Sequence, residues 1–227
     1  MARQNNPISA KKKPLPPDLP SADSLQVVEH LPITDECEFS KFIADNITLA
    51  AQDAADVIFE EGRFNHVIFQ DCSLEKIRVR DCVFEKCNLS NMQWSSARLS
   101  KLELRTCKLT GLKLSEAEIA NCLFESCVGL SLILTKAKFK RTIFSNCKLT
   151  EADFRFAELQ EVVFYNCDLS GSEFYNAKMA GTDFRGSDLR SIKAYPQDLR
   201  GIVIDSNQSI ELAAHFAEIL GITIEDS

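Results

Sequence analysis

Large apolar residues recur along the chain every five positions. From Phe59 the same slot holds Phe64, Phe69, Leu74, Val79, Phe84, Leu89, Trp94, Leu99 and Leu104, and it continues to Leu189 with one gap, at Gly129. Two residues before each centre lies a second set of small or apolar residues. All nine cysteines fall in it: Cys37, Cys72, Cys82, Cys87, Cys107, Cys122, Cys127, Cys147 and Cys167. Chance would place them in one frame of five on the order of once in several hundred thousand sequences, so the period is structural. An α-helix repeats its faces every 3.6 residues or so and a strand every two, and neither accounts for a sustained five. A coil that turns a corner every five residues does. In each unit the centre and the residue two before it point inward, as i and i+2 do in extended chain, and the other three point outward.

The number of sides follows from a longer period. Cysteines repeat every 20 residues from Cys87 to Cys167, and alanines repeat at the same interval at Ala97, Ala117, Ala137, Ala157 and Ala177. Like residues stack when successive coils lie one strand spacing apart, so each coil has four sides and these are vertical columns inside it. Residues 57–196 then form seven coils, roughly 34 Å long at about 4.8 Å per coil. The frame reaches back to Cys37 and Phe39, but Ala44 and Ala54 at the centres weaken it. The repeat is therefore assigned to residues 37–196, regular from about 57, with an irregular first coil. At Gly129 the sequence predicts a bulge that swings Leu130 inward, because native cores keep few voids.

The units Ala152-Asp153-Phe154-Arg155, Cys167-Asp168-Leu169-Ser170, Asp183-Phe184-Arg185-Gly186 and Ser187-Asp188-Leu189-Arg190 resemble the pentapeptide-repeat family, whose motif is roughly A(D/N)LXX. The resemblance implies an all-β solenoid, a right-handed quadrilateral β-helix. Upstream units use Glu, Arg or Ile where the motif has Asp or Asn.

The two ends leave this pattern. Residues 1–36 hold six of the seven prolines and the basic triplet Lys11 to Lys13, and read as a flexible, extended leader. Ser24 to Leu31 is a candidate segment for closing the first coil. After Pro196, Leu199 to Ile204 reads as a last strand. Ser206 or Asn207 then caps a helix that stops at Gly221. That helix carries two apolar stripes: Ile210, Ala213, Ala214 and Ala217 on one, Leu212, Phe216, Ile219 and Leu220 on the other. One stripe covers the open end of the solenoid. The other lacks a partner in the chain, and Leu212, Phe216 and Ile219 are expected to form a homodimer interface.

Composition narrows the chemistry. No apolar run approaches the ~18 residues of a membrane span, and the polar start has no signal-peptide core, so a cytoplasmic location with reduced thiols is expected. The histidines His30, His66 and His215 lie far apart with no nucleophile or carboxylate at a motif spacing, and no phosphate loop, HExxH or CxxC occurs. No enzyme, cofactor or metal is expected. Thiols stacked in parallel do not converge as zinc ligands must, and their expected role is buried apolar filler. The net charge is −7, and residues 197–227 carry six acidic groups against the single Arg200. Direct nucleic-acid binding is not expected of such a chain. The surface aromatics Phe156, Tyr175 and Tyr195 lie on one side of successive coils and are candidates for a partner surface.

Within the family, the leader from Lys13 to Pro20 and the ending from Asp198-Leu199-Arg200-Gly201 to Leu220-Gly221-Ile222 are similar to those of the Qnr and MfpA type of topoisomerase-interacting proteins. That resemblance implies a DNA-mimicking rod that occupies the DNA-binding saddle of DNA gyrase or topoisomerase IV, with quinolone protection as one outcome. The coils themselves sum to nearly zero charge, which leaves a protein-interaction scaffold with a different bacterial partner as the alternative.

Overall fold

The computed structural model describes residues 13–219 and 221–223. The chain winds as a right-handed quadrilateral β-helix whose strands, from Glu38 on, pair in parallel with the coil above, 20 residues on. Val79 lies against Leu99, Leu99 against Ile119, Ile119 against Phe139 and Phe139 against Leu159. The coil begins earlier and more regularly than expected. Glu38–Ser40, Phe42–Asp45, Thr48–Ala50 and Asp53–Ala55 all pair with the next turn, so residues 37–56 form a complete coil despite Ala44 and Ala54. Large neighbours make up the missing volume. Phe42 turns its ring inward beneath Gly62, where a Cβ would lie 2.6 Å from the ring edge.

The corners have one backbone solution. Every fifth residue from Glu36 to Ser191 has positive φ, from 49° to 82°. Left-handed backbone is costly for residues with a Cβ, and Asn and Asp tolerate it best. Asn46, Asp56, Asp71, Asp81, Asn91, Asn121, Asn146, Asn166 and Asn176 sit there. Most corner N–H groups donate upward, as from Asp56 to the Glu75 carbonyl at 3.0 Å and from Asn146 to Tyr165 at 2.9 Å, while those of Asn176 and Gly186 meet the carboxylates of Asp198 and Asp205. The family's Asp also acquires a reason here. The carboxylates of Asp153, Asp168, Asp183 and Asp188 accept the N–H two residues on, at 3.0–3.2 Å, an Asx-type turn that prepares the corner.

The cysteine column is more than filler. From Cys72 on, each thiol donates to the carbonyl of a centre residue in the coil below, 23 positions back, for example Cys107 to Phe84, Cys127 to Leu104, Cys147 to Phe124 and Cys167 to Phe144, at 3.3–3.4 Å. Where the slot holds a hydroxyl, the hydroxyl does the same, as from Ser187 to Phe164 at 3.0 Å and from Thr182 to Leu159 at 3.2 Å. Where the residue two before a centre is Cys, Ser or Thr it is thus small, buried and a donor, while Ala, Val, Ile, Leu and Met fill most of the rest of this slot as apolar packing. That combination explains why Cys, Ser and Thr share it, since an unpaired buried carbonyl is destabilising.

No bulge forms at Gly129. Its backbone keeps register, with Val128 bridged to Lys108 below and Lys148 above, and Leu130 stays outward. Leu149 and Leu132 close over the glycine instead, so that a Cβ would meet them at 3.2 and 3.4 Å. Shifting two flexible side chains is easier than breaking hydrogen bonds on both sides of a coil.

The C-terminal end is closed by one helix, Ser206–Ile219. Leu199 to Ile204 does not form a strand as expected; it turns after Pro196, bridges to the coil at Val203 and Asp183, accepts the Gly181 N–H on the Gly201 carbonyl at 2.8 Å and places Leu199 in the core. The helix cap is Asp205, one residue earlier than read from the sequence. Asp205 accepts the N–H groups of Asn207 and Gln208, and Gln208 Oε1 accepts the Asp205 N–H, a reciprocal capping box. The Gln208 amide then donates to the Phe184 and Ser187 carbonyls, both at 2.6 Å. It thereby occupies the next rung of the donor column. The N–H groups of Gln208, Gly186 and Asn207 hold the Asp205 carboxyl below its ordinary range, so this stabilisation is present above the ordinary carboxylate pKa and is lost as pH falls through the depressed one.

The leader lies on the coil over the residues described. Gln26–Val28 pairs with the first coil at Phe42, Ile43 and Ala44, and Leu31 and Ile33 enter the core. Residues 13–25 run along the outside, so the flexible leader expected for 1–36 does not extend to 13–36. Prolines do not prevent docking; they remove N–H groups that would otherwise need partners.

Two outcomes follow. Gln208→Leu, which leaves two buried carbonyls without a donor, should cost about 2–3 kcal/mol and loosen the helix first, read as hydrogen exchange of residues 208–219 ahead of the coil. Unchanged exchange there would remove Gln208 from the column. The nine cysteines are free and only Cys37 is not fully buried, while burial pushes the Cys82 and Cys122 thiols up to about 12. A thiol reagent should therefore modify at most Cys37 in the native protein and all nine after denaturation.

Candidate interaction surface at the C-terminal end

The two apolar stripes of the helix are not divided as expected, and Ala217 of the Ile210 stripe is itself buried. Leu212 is in the core and Phe216 packs against it, beside Gln208, so this stripe covers the open end of the coil. Ile210 and Ala213 face outward, with Ile210 72% exposed. The reason is the capping box: it fixes the rotation of the helix by tying Gln208 to the coil, and Leu212 and Phe216 follow Gln208 on the same face. Of the residues expected at a dimer interface, only Ile219 remains exposed, because the helix overhangs the coil there.

Ile219 instead meets the predicted aromatic surface. A cleft of about 540 Å³ runs between the helix end and the last coil, lined by Tyr175, Ser191, Ile192, Lys193, Ala194, Tyr195 and Ile219. The Tyr175 and Tyr195 rings lie one coil apart, 4.8 Å between centroids at 51°. Asp198 fixes the loop below them by accepting the N–H groups of Tyr195 and Asn176 at 3.1 and 3.0 Å. Lys193 is neutralised by Glu173 at 2.9 Å, which raises its pKa. The cleft is therefore aromatic and nearly uncharged.

Phe156 adjoins this surface, donating its N–H to the Tyr175 carbonyl at 3.0 Å. It is 52% exposed and also occupies a left-handed corner with φ 59°. Left-handed backbone is common to all the corners, so what sets Phe156 apart is a bulky, exposed aromatic ring at one of them. Sequence reading found Phe156, Tyr175 and Tyr195 by their outward frame but missed the corner. It also missed Ser191, Ile192 and Lys193, whose place in the cleft depends on where the helix ends.

Elsewhere the outer surface is a ladder of opposite charges on successive coils. Lys136 pairs with Glu116, Arg141 with Glu161, Lys178 with Glu158 and Arg98 with Glu118, at 2.8–3.6 Å. Such exposed pairs add little stability, but they leave the sides of the rod without a net field. Among the described residues no group of three or more potential metal ligands converges, and no helix is long and apolar enough to cross a membrane.

A family model described as pentapeptide repeat region matches residues 137–212. This stretch contains Asp153, Asp168, Asp183 and Asp188, the turn-forming carboxylates. No curated protein matches the chain. Among solved structures, HetL, a pentapeptide repeat protein involved in heterocyst differentiation regulation from the cyanobacterium Nostoc sp. strain PCC 7120, is 17% identical, with a TM-score of 0.35 over 76% of this chain and 91% of its own. Rfr23 from the cyanobacterium Cyanothece 51142 is 23% identical, with a TM-score of 0.39 over 56% of this chain and 88% of its own. A trypsin-treated QnrB1 variant, a plasmid-mediated fluoroquinolone resistance protein, is 18% identical, with a TM-score of 0.36 over 88% of this chain and 96% of its own. The repeat recognised over residues 137–212 is continued back to Glu36 by the same five-residue corner and twenty-residue register, so along its coil the chain is similar to the pentapeptide-repeat family.

Proposed function

We propose that this chain is a non-catalytic protein-binding rod whose contact surface is the aromatic cleft of Phe156, Tyr175, Tyr195 and Ile219. The observation that carries this reading is Phe156, an exposed aromatic ring held in left-handed backbone at the edge of a tyrosine pair. Aromatic side chains around an uncharged cleft suit a protein surface, where they supply large contact area at low entropic cost.

The partner proposed is a type II topoisomerase, DNA gyrase or topoisomerase IV, whose DNA-binding saddle the rod would enter in place of duplex DNA. Support comes from the leader and cap motifs and from size, since eight coils at about 4.8 Å span roughly 38 Å, slightly more than one duplex turn. The paired charges on the sides confine any negative field to the C-terminal end. Contacts at the cleft, more than mimicry of the phosphate backbone, would then hold the partner. The same neutral sides favour the second reading, a scaffold for another bacterial protein.

A homodimer through the helix belongs to the proposal in revised form. Leu212 and Phe216 hold the cap, so the second copy would meet the outward stripe of Ile210 and Ala213. Ile210→Lys should give a folded monomer by sedimentation, whereas Leu212→Lys should unfold the cap. A wild-type protein that is monomeric at micromolar concentration ends the dimer proposal.

Phe156→Asn separates binding from folding. It should stabilise the coil by about 0.5–1 kcal/mol, because Asn is at ease in left-handed backbone, and weaken inhibition or quinolone protection of gyrase in a supercoiling assay by about tenfold or more. Wild-type protein without effect on either topoisomerase would exclude that partner. Full activity in the Asn variant would exclude the cleft.

A further inference from the structure

The stretch 13–25 is bound to the coil like a ligand. It descends the outside of the rod, with Leu15 beside Asn121, Asp18 beside Asp81 and Gln26 paired to Phe42. No strand pairing joins residues 13–25 to the coil. Two backbone donors do so among the described residues: the Leu15 N–H reaches Asn121 Oδ1 at 3.3 Å, and the Asp18 N–H reaches Asp81 Oδ1 at 2.8 Å. Four nearby residues, Pro14, Pro16, Pro17 and Pro20, have no N–H to offer.

The spacing of these two bonds fits the coil. Asn121 and Asp81 are equivalent corner residues two coils apart, about 9.6 Å at the strand spacing. Leu15 and Asp18 are three residues apart, which an extended polyproline-type chain spans in about 9.3 Å. One N–H every third residue therefore meets one corner acceptor every second coil.

The coil is prepared for such a chain on this face. Outward positions that are polar on most sides are apolar here at Val83, Leu123 and Ile143, and Ile143 is only 4% exposed. Asp81 is buried and also paired to Lys101 at 3.2 Å, so its orientation as an acceptor is fixed from the coil side. The leader does not cover the channel completely: an open cleft of about 220 Å³ lies between Lys13, Leu15 and Pro16 and the coil residues Glu103, Leu123 and Ile143.

We infer that this face is a binding channel for an extended, proline-spaced peptide read through its main chain, and that the chain's own residues 13–25 occupy it in cis as a pseudo-ligand. The site is independent of the aromatic cleft. A partner segment that carries an apolar residue over Leu123 and Ile143, and backbone N–H groups three residues apart, would displace the leader. Apparent affinity is reduced by the fraction of time the leader is bound.

The test uses the full chain and a fluorescent synthetic peptide of residues 13–25. Leu15→Pro with Asp18→Pro removes both backbone donors from the leader and leaves every coil residue in place. The wild-type peptide should bind this variant about tenfold or more tightly than it binds the wild-type protein, because the channel is no longer occupied. A peptide with the same two prolines should not bind. Adding Leu123→Arg, an outward position, to the protein variant should abolish binding while its far-UV spectrum stays that of the coil. Equal binding to wild type and variant, no binding to the variant, or binding that survives Leu123→Arg would each overturn the channel.

Discussion

The hydrogen bonds from corner N–H groups to carbonyls of the coil above are the constraint on which the structure rests. Left-handed backbone costs roughly 1–2 kcal/mol per residue with a Cβ, and a net hydrogen bond returns about 1. A corner is therefore close to neutral by itself and becomes stable only when another coil supplies the acceptor. The fold is cooperative along its axis for this reason, and each end needs a substitute for the missing coil. Gln26–Val28 supplies one at the start, shifted to an interval of 16 residues, as Gln26 meets Phe42. Gln208 supplies the other, placing an amide where Cys or Ser stands in the coils below.

This division explains what was legible in the sequence. The five-residue and twenty-residue periods identified the fold, the number of sides and the inward columns, because each coil repeats the demands of its neighbours. Cysteine placement marked the column but not its chemistry. Buried Cys, Ser and Thr look alike as small residues until the carbonyl 23 positions back is found facing them. Gly129 shows a different limit. The period located the gap, but whether backbone or side chains move depends on the hydrogen bonds of both adjacent coils.

The ends were less legible because nothing repeats there. The apolar stripes of the helix were visible, yet their assignment turned on Asp205 and Gln208, two polar residues that set its rotation. The leader's prolines suggested freedom, whereas its two remaining donors meet acceptors on alternate coils. At the cleft, the outward frame revealed the aromatic residues, but the left-handed corner at Phe156 is seen only in the backbone. Ile219 reached them only because the helix is longer than the end it covers.

Stacking at an interval of 20 residues is the central claim, and thermal unfolding of two deletion variants measures it most directly. Removal of residues 107–126 takes out one whole coil and leaves Cys87 below Cys127, so this shorter rod should keep the β-helix spectrum and melt cooperatively. Removal of residues 107–111 preserves the five-residue frame but rotates every later column by one side, placing Phe and Cys columns over unlike neighbours. That variant should lose the cooperative transition. Similar melting of the two variants would contradict the account, since it would mean that the five-residue corner alone, without the twenty-residue register, holds the coil together.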